Sequence, residues 1–131
     1  MIYPPVGGGG GAVSSVAGRI GAIVLVEGDI ANLTTDLTAR IQRSILSVST
    51  PTTAGSTAGT DYIYLVSGTT TITLPTAVGN SNRYTIKRTG TGVVTINTTS
   101  AQTIDGSASA SLNVRYQSID VISDGSNWNV I

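Results

Sequence analysis

The chain has 131 residues, room for one domain and an arm but not for two full domains. Seven basic side chains balance seven acidic ones and only 11% of residues are charged, so electrostatics gives no argument for nucleic acid or an anionic membrane as a partner. The absence of cysteine and histidine excludes disulfides and Cys-based metal sites, and removes the usual members of nucleophilic triads and zinc sites.

Met1–Val13 carries Pro4-Pro5 and five glycines, Gly7–Gly11. It cannot bury enough surface to fold alone and reads as an arm that orders against a partner, or as a tether. Gly7, Gly9 and Ala12 match a dinucleotide-binding spacing, but no strand precedes them and a glycine run fits many patterns by chance. Met1–Pro5 lacks the basic start of a signal peptide. Ser14–Val26 alternates loosely and reads as a short strand or hairpin; its apolar run, Ile20–Val26, is too short to span a membrane. Ile20, Ile23 and Leu25 are its attachment candidates, suited to adding a strand to a partner's sheet.

Asp29–Ile45 reads as a helix. Ile30, Leu33, Leu37, Ile41 and Ile45 recur at spacings of three and four, which draws one narrow apolar stripe. Asp29 suits the N-cap, Asp36 and Arg40 form an outward i,i+4 pair, and Arg40 and Arg43 suit the negative pole of the dipole. The stripe has the width of a coiled-coil seam, and a helix this short is marginal alone in water. Either identical helices from other copies bury it, in parallel self-association, or the rest of the chain does. The hendecad-like first step predicts a nearly straight or slightly right-handed bundle.

Ser47–Gly59 is a linker of small residues, and from Thr60 the pattern changes to period two. The expected strands are Tyr62–Val66, Thr70–Leu74, Tyr84–Arg88, Val93–Asn97, Ser111–Val114, Gln117–Ser123 and Trp128–Ile131. Ile72, Leu74, Val94, Ile96, Ile119 and Val121 should face inward. Ser67-Gly68, Gly79-Asn80, Gly90-Thr91-Gly92, Asp105-Gly106 and Asp124-Gly125 are turn signals. Together they predict an antiparallel β-sandwich or barrel. The expected fold is mostly β: an extended N-terminal arm (1–28), a short self-associating helical neck (29–46) and a β-rich C-terminal knob (47–131). So small a core gains from oligomerisation.

Two stretches carry a family resemblance. SVAGRIGAIVL (Ser15–Leu25) resembles the SVNGxTGxVxL element of bacteriophage fibre proteins, with Ala17 in place of Asn and Ile20 in place of Thr. YTIKRTGTGVVTIN (Tyr84–Asn97), QTIDGSAS (Gln102–Ser109) and IDVISDGSNWNVI (Ile119–Ile131) are similar to the distal β-domain at the tips of phage tail fibres and virion spikes. The resemblance implies a homotrimer with an attachment arm, a three-helix neck and an outward-pointing knob. It also implies that Trp128 and Val130 seal the last strand into the core.

An enzyme is not expected, and no cofactor or metal is. Asp105 and Asp124 could form a carboxylate pair, but Asp-Gly is ordinary turn chemistry. Glycan binding is the better prospect, because exposed aromatic faces stack on sugars. Tyr62, Tyr64, Tyr116 and Trp128 are its candidates, each with core or interface packing as the competing reading. Arg83, Lys87, Arg88 and Arg115 could meet anionic glycans.

The leading expectation is a structural virion protein made in the host cytoplasm. It would be a homotrimeric head fibre or capsid decoration (cement) protein, anchored by its arm to the major capsid protein or another virion protein. The knob would be free for host surface polysaccharide, with neither nucleic acid nor membrane insertion involved. Met1 makes the chain read as a complete gene product, too short for a typical tail fibre. The alternative is a tail-fibre receptor-binding tip, and the third reading a non-viral lectin-like module.

Overall fold

The computed structural model describes residues 33–131. Helix α1 spans Leu33–Thr38. Nine strands follow: β1 Gln42–Val48, β2 Thr52–Thr53, β3 Thr60–Val66, β4 Thr70–Thr73, β5 Tyr84–Arg88, β6 Val94–Asn97, β7 Ser109–Leu112, β8 Ser118–Ser123 and β9 Trp128–Val130. The chain divides into two compact units, Met1–Leu37 and Thr38–Ile131, and every described strand belongs to the second.

The strands form two sheets, in the orders β1-β3-β5-β8-β9 and β2-β4-β6-β7. The chain alternates between them. β1, β3 and β5 pair in parallel in one sheet, while β2, β4 and β6 pair in parallel in the other. Each pair β1–β2, β3–β4 and β5–β6 is therefore one coil of a short parallel β-solenoid. Gln42 lies opposite Thr60, and Tyr62 opposite Tyr84, so a coil takes about twenty residues. The antiparallel strands β7, β8 and β9 then close the stack against β6 and β5.

This corrects the expectation of an antiparallel sandwich. All seven expected strands are present, but two of the expected turns have another job. Ser67-Gly68 and Gly90-Thr91-Gly92 are corners, where the chain leaves one sheet for the other and the corners of successive coils stack. A Cβ on Gly90 would sit 1.8 Å from the Ser67 carbonyl oxygen, and one on Gly92 would sit 2.2 Å from the Thr69 amide nitrogen. Glycine is needed there for close backbone approach. Gly79, Gly106 and Gly125 do take positive φ and make true turns.

The core fills the space between the sheets. Val66, Ile72, Leu74, Tyr84, Ile86, Val94, Ile96, Val121 and Trp128 are fully enclosed. Alternation along β3 and β5 sends every second side chain inward, and parallel register stacks each on the equivalent residue of the next coil. Ile119 packs against this core as expected, whereas Val130 is exposed and does not help Trp128 seal the last strand.

The helix differs from expectation as well. It ends at Thr38, and Gln42–Val48, read as its last turn and the following linker, is instead β1. Seven residues of β1 pair with β3, and the Gln42 N–H donates to the Gly59 carbonyl at 2.7 Å. A whole strand's pairing outweighs the weak helical preference of Ile45, Ser44 and Val48. Ile41 and Ile45 thus do not continue a helical stripe, and the boundary drawn at residue 46 falls inside β1. Ile45 lies on the outer face of its sheet, 62% exposed. Leu37 is partly exposed on α1. The seam position Ile30, the arm positions Ile20, Ile23 and Leu25, and the side chain of Leu33 lie outside what the structure describes.

Candidate binding surface

Three of the four aromatic glycan candidates are core. Tyr62, Tyr64 and Trp128 are buried, so none offers a face to a ligand. Tyr62 stacks on Tyr64 and Tyr84, with centroids 6.2 and 5.5 Å away, and Trp128 meets Tyr84 edge-on at 5.2 Å. The tyrosine hydroxyls tie down the loop between β2 and β3. The Gly55 N–H donates to the Tyr64 hydroxyl at 2.8 Å, the Thr57 N–H donates to that of Tyr62 at 3.1 Å, and the Tyr84 hydroxyl donates to the Gly55 carbonyl at 2.8 Å. A Cβ on Gly55 would lie 2.4 Å from the Tyr62 ring. Burial pushes the Tyr64 phenol up, partly offset by the Gly55 hydrogen bond.

Two residues that sequence pattern did not single out as structural complete this interior. Asn82 is buried; its Oδ1 accepts from the Thr60 N–H at 3.2 Å and its Nδ2 donates to the Thr57 carbonyl at 2.9 Å. It lies between a turn and a strand, where nothing in the sequence marks an asparagine as a bridge. Arg88, an anionic-glycan candidate, is only 5% exposed. It occupies the inward position in register with Val66 and Val48, and donates from Nη2 to the Thr91 carbonyl, while Nε and Nη1 have no protein partner. Its burial removes it from the anionic-glycan candidates.

The two candidate acids, Asp105 and Asp124, are turn residues. Asp124 accepts from the N–H groups of Asn127 and Ser126 at 2.7 and 2.9 Å, bonds that hold its carboxyl below the usual carboxylate range. Asp105 has positive φ and accepts from the Val130 N–H at 3.0 Å. Among the described residues no cluster of three metal-ligating side chains occurs, and no helix is long and apolar enough to cross a membrane.

Two surface features remain. The first is a cleft of about 270 Å³ on the outer face of the five-stranded sheet, lined by Arg43, Asp61, Ile63, Arg83 and Thr85. Arg43, Asp61 and Arg83 follow one another across adjacent strands, and Arg83 forms an ion pair with Asp120. Its charges cancel locally and it contains no aromatic ring.

The second is the loop 113–117 between β7 and β8, where Tyr116, the fourth aromatic candidate, is 57% exposed. Its φ of 67° lies in the left-handed region, unusual for a bulky side chain. The loop holds that conformation through several bonds. Gln117 Oε1 accepts from the N–H groups of Asn113 and Val114 at 2.9 and 3.1 Å, and the Tyr116 N–H donates to the Arg88 carbonyl at 3.0 Å. Lys87 Nζ donates to the Tyr116 carbonyl at 2.7 Å. The Arg115 guanidinium lies 4.8 Å from the Tyr116 ring centroid. Val114, in the same loop, is also exposed.

No protein-family model and no curated protein matches the chain.

Proposed function

We propose that this protein is a structural component of a bacteriophage particle, a short homotrimeric spike. In this reading its N-terminal arm anchors it to the capsid as a decoration or head-fibre protein, and its β-rich unit points outward. The fibre-like motifs Ser15–Leu25 and Ile119–Ile131 support the family. The observation that carries the assembly is the uneven finish of the solenoid. The first coil ends on a strand edge with no described neighbour, and Ile41, Ile45 and Leu46 are exposed on or beside it. A parallel strand edge with exposed apolar residues invites pairing or coverage. Further copies of the chain, joined through the Leu37 helix, would cover it. The exposed Tyr116 loop keeps the tail-fibre tip as the second reading, because rigidly held aromatic residues suit host recognition.

The test is the solution mass of the full chain and of Leu37→Asp, measured by light scattering. The wild-type chain is expected at three times its 13.3 kDa chain mass. Leu37→Asp should dissociate it, since three carboxylates would meet at one level of the seam. A monomeric wild-type chain, or a variant that stays trimeric at low concentration, would contradict the reading.

A further inference from the structure

We infer that the loop 113–117 with Lys87 is a binding site for carboxylate-bearing saccharides; this rests on the reading of the β-rich unit as outward-facing. Three observations converge on the same few residues. Tyr116 is strained and exposed at once: its backbone occupies a region that disfavours its side chain, yet the ring does not repay this by burial. Both ends of the loop are fixed by the Gln117 side chain and by the Arg88 carbonyl, so the ring is presented with little left to order on binding. Arg115 and Lys87 each touch Tyr116, and among the described residues the ion pair is between Arg83 and Asp120, which leaves these two cations without a carboxylate.

That set matches an acidic sugar better than a neutral one. A pyranose lays its C–H face on an aromatic ring. Its carboxylate would take charge-assisted hydrogen bonds from the Arg115 guanidinium and the Lys87 ammonium, which are stronger than neutral ones. The neutral cleft at Arg43, Asp61 and Arg83 offers neither the ring nor the charge excess. A trimer would carry three such loops, and a polymer of uronic acids could engage them together, raising avidity without new contacts.

The experiment is calorimetric titration of the full chain with three probes: a polygalacturonate oligosaccharide, the same oligosaccharide fully methyl-esterified, and polyglutamate of matched charge. The first should bind, about tenfold or more tighter than either of the others, and weaken with added salt. Tyr116→Gly and Arg115→Gln should each weaken it about tenfold. Tyr116→Gly should melt no lower than wild type, because glycine suits the positive φ, so its lost binding cannot be assigned to unfolding. Equal binding of the methyl ester or of polyglutamate, no binding of polygalacturonate, or unchanged binding by either variant would overturn the inference. The solution mass of the same samples separates the two readings. A trimer that fails to bind overturns only the saccharide site. A monomer that binds through Tyr116 overturns only the spike, and a monomer that does not bind overturns both.

Discussion

The two ends of the β-solenoid are built differently. At one end the chain turns back on itself: β8 adds antiparallel to β5 and β9 antiparallel to β8, and Trp128 drops into the core against Tyr84. At the other end no described strand turns back. β1 is the last strand of its sheet, and Leu46, on the inward side of that strand, is still about one-third exposed although its neighbour Tyr64 is enclosed. A solenoid needs both ends capped, because each coil buries its apolar face only against the next. The difference teaches that one end is finished by the described residues themselves, whereas the other presents a strand edge that they leave uncovered.

Side-chain truncation at the two ends should expose this asymmetry most strongly. Trp128→Ala is expected to cost about 3–5 kcal/mol in denaturant unfolding. Leu46→Ala should cost well under the roughly 2–5 kcal/mol of a buried leucine when measured at low protein concentration. Its penalty should grow as concentration rises and the open end becomes covered. Equal, concentration-independent costs would break the comparison.

A smaller effect belongs to the corners that join the ends. Gly90→Ala places a methyl group against the Ser67 carbonyl of the previous coil. Backbone must move, at a cost of about 1–3 kcal/mol by the usual scale of overpacking. The same substitution at Gly59 meets open space and is opposed only by its positive φ, so it should cost less. Thermal melts of the two variants sharpen the distinction between a stacked corner and a free turn.

The smallest effects are in pH dependence. The Tyr64 phenol is raised above its ordinary value of 10.0 by burial. Its contribution to stability is whole below that value and is lost as pH climbs through the higher folded value. Tyr64→Phe should therefore flatten the alkaline limb of the stability profile, read by chemical denaturation between neutral pH and pH 11. Asp124 acts in the opposite sense. Its depressed carboxyl stabilises above its ordinary value of 3.8, and that contribution is lost as pH falls through the lower folded value, so Asp124→Asn should change only the acid limb.

Much of the β unit was legible in the sequence, and the reasons are specific. Alternation such as Thr71-Ile72-Thr73-Leu74 marks strand and face together, and Asp-Gly pairs mark true turns. Pairing direction was not legible, because an inward-outward alternation reads the same in parallel and antiparallel ladders. Gly68, Gly90 and Gly92 looked like hairpin glycines because a residue needed for close approach carries the same letter as one needed for positive φ. β1 was missed because Leu37, Ile41 and Ile45 continue a helical spacing by coincidence across the break at Thr38. For the surface, composition suggested four aromatic residues with nothing to separate them. Only the fold sorts Tyr116 from the three that pack inside, and no local pattern announces its left-handed backbone.

The measurement that tests the account most directly is amide hydrogen exchange of the full chain across a range of concentrations. The account predicts that β5 and β8, in the middle of the sheet, stay slow throughout. The amides of β1 should be as slow when the protein is concentrated and become fast on dilution, as the open end loses its covering copies. Exchange in β1 that does not change with concentration would contradict the claim that other copies of the chain complete the first coil.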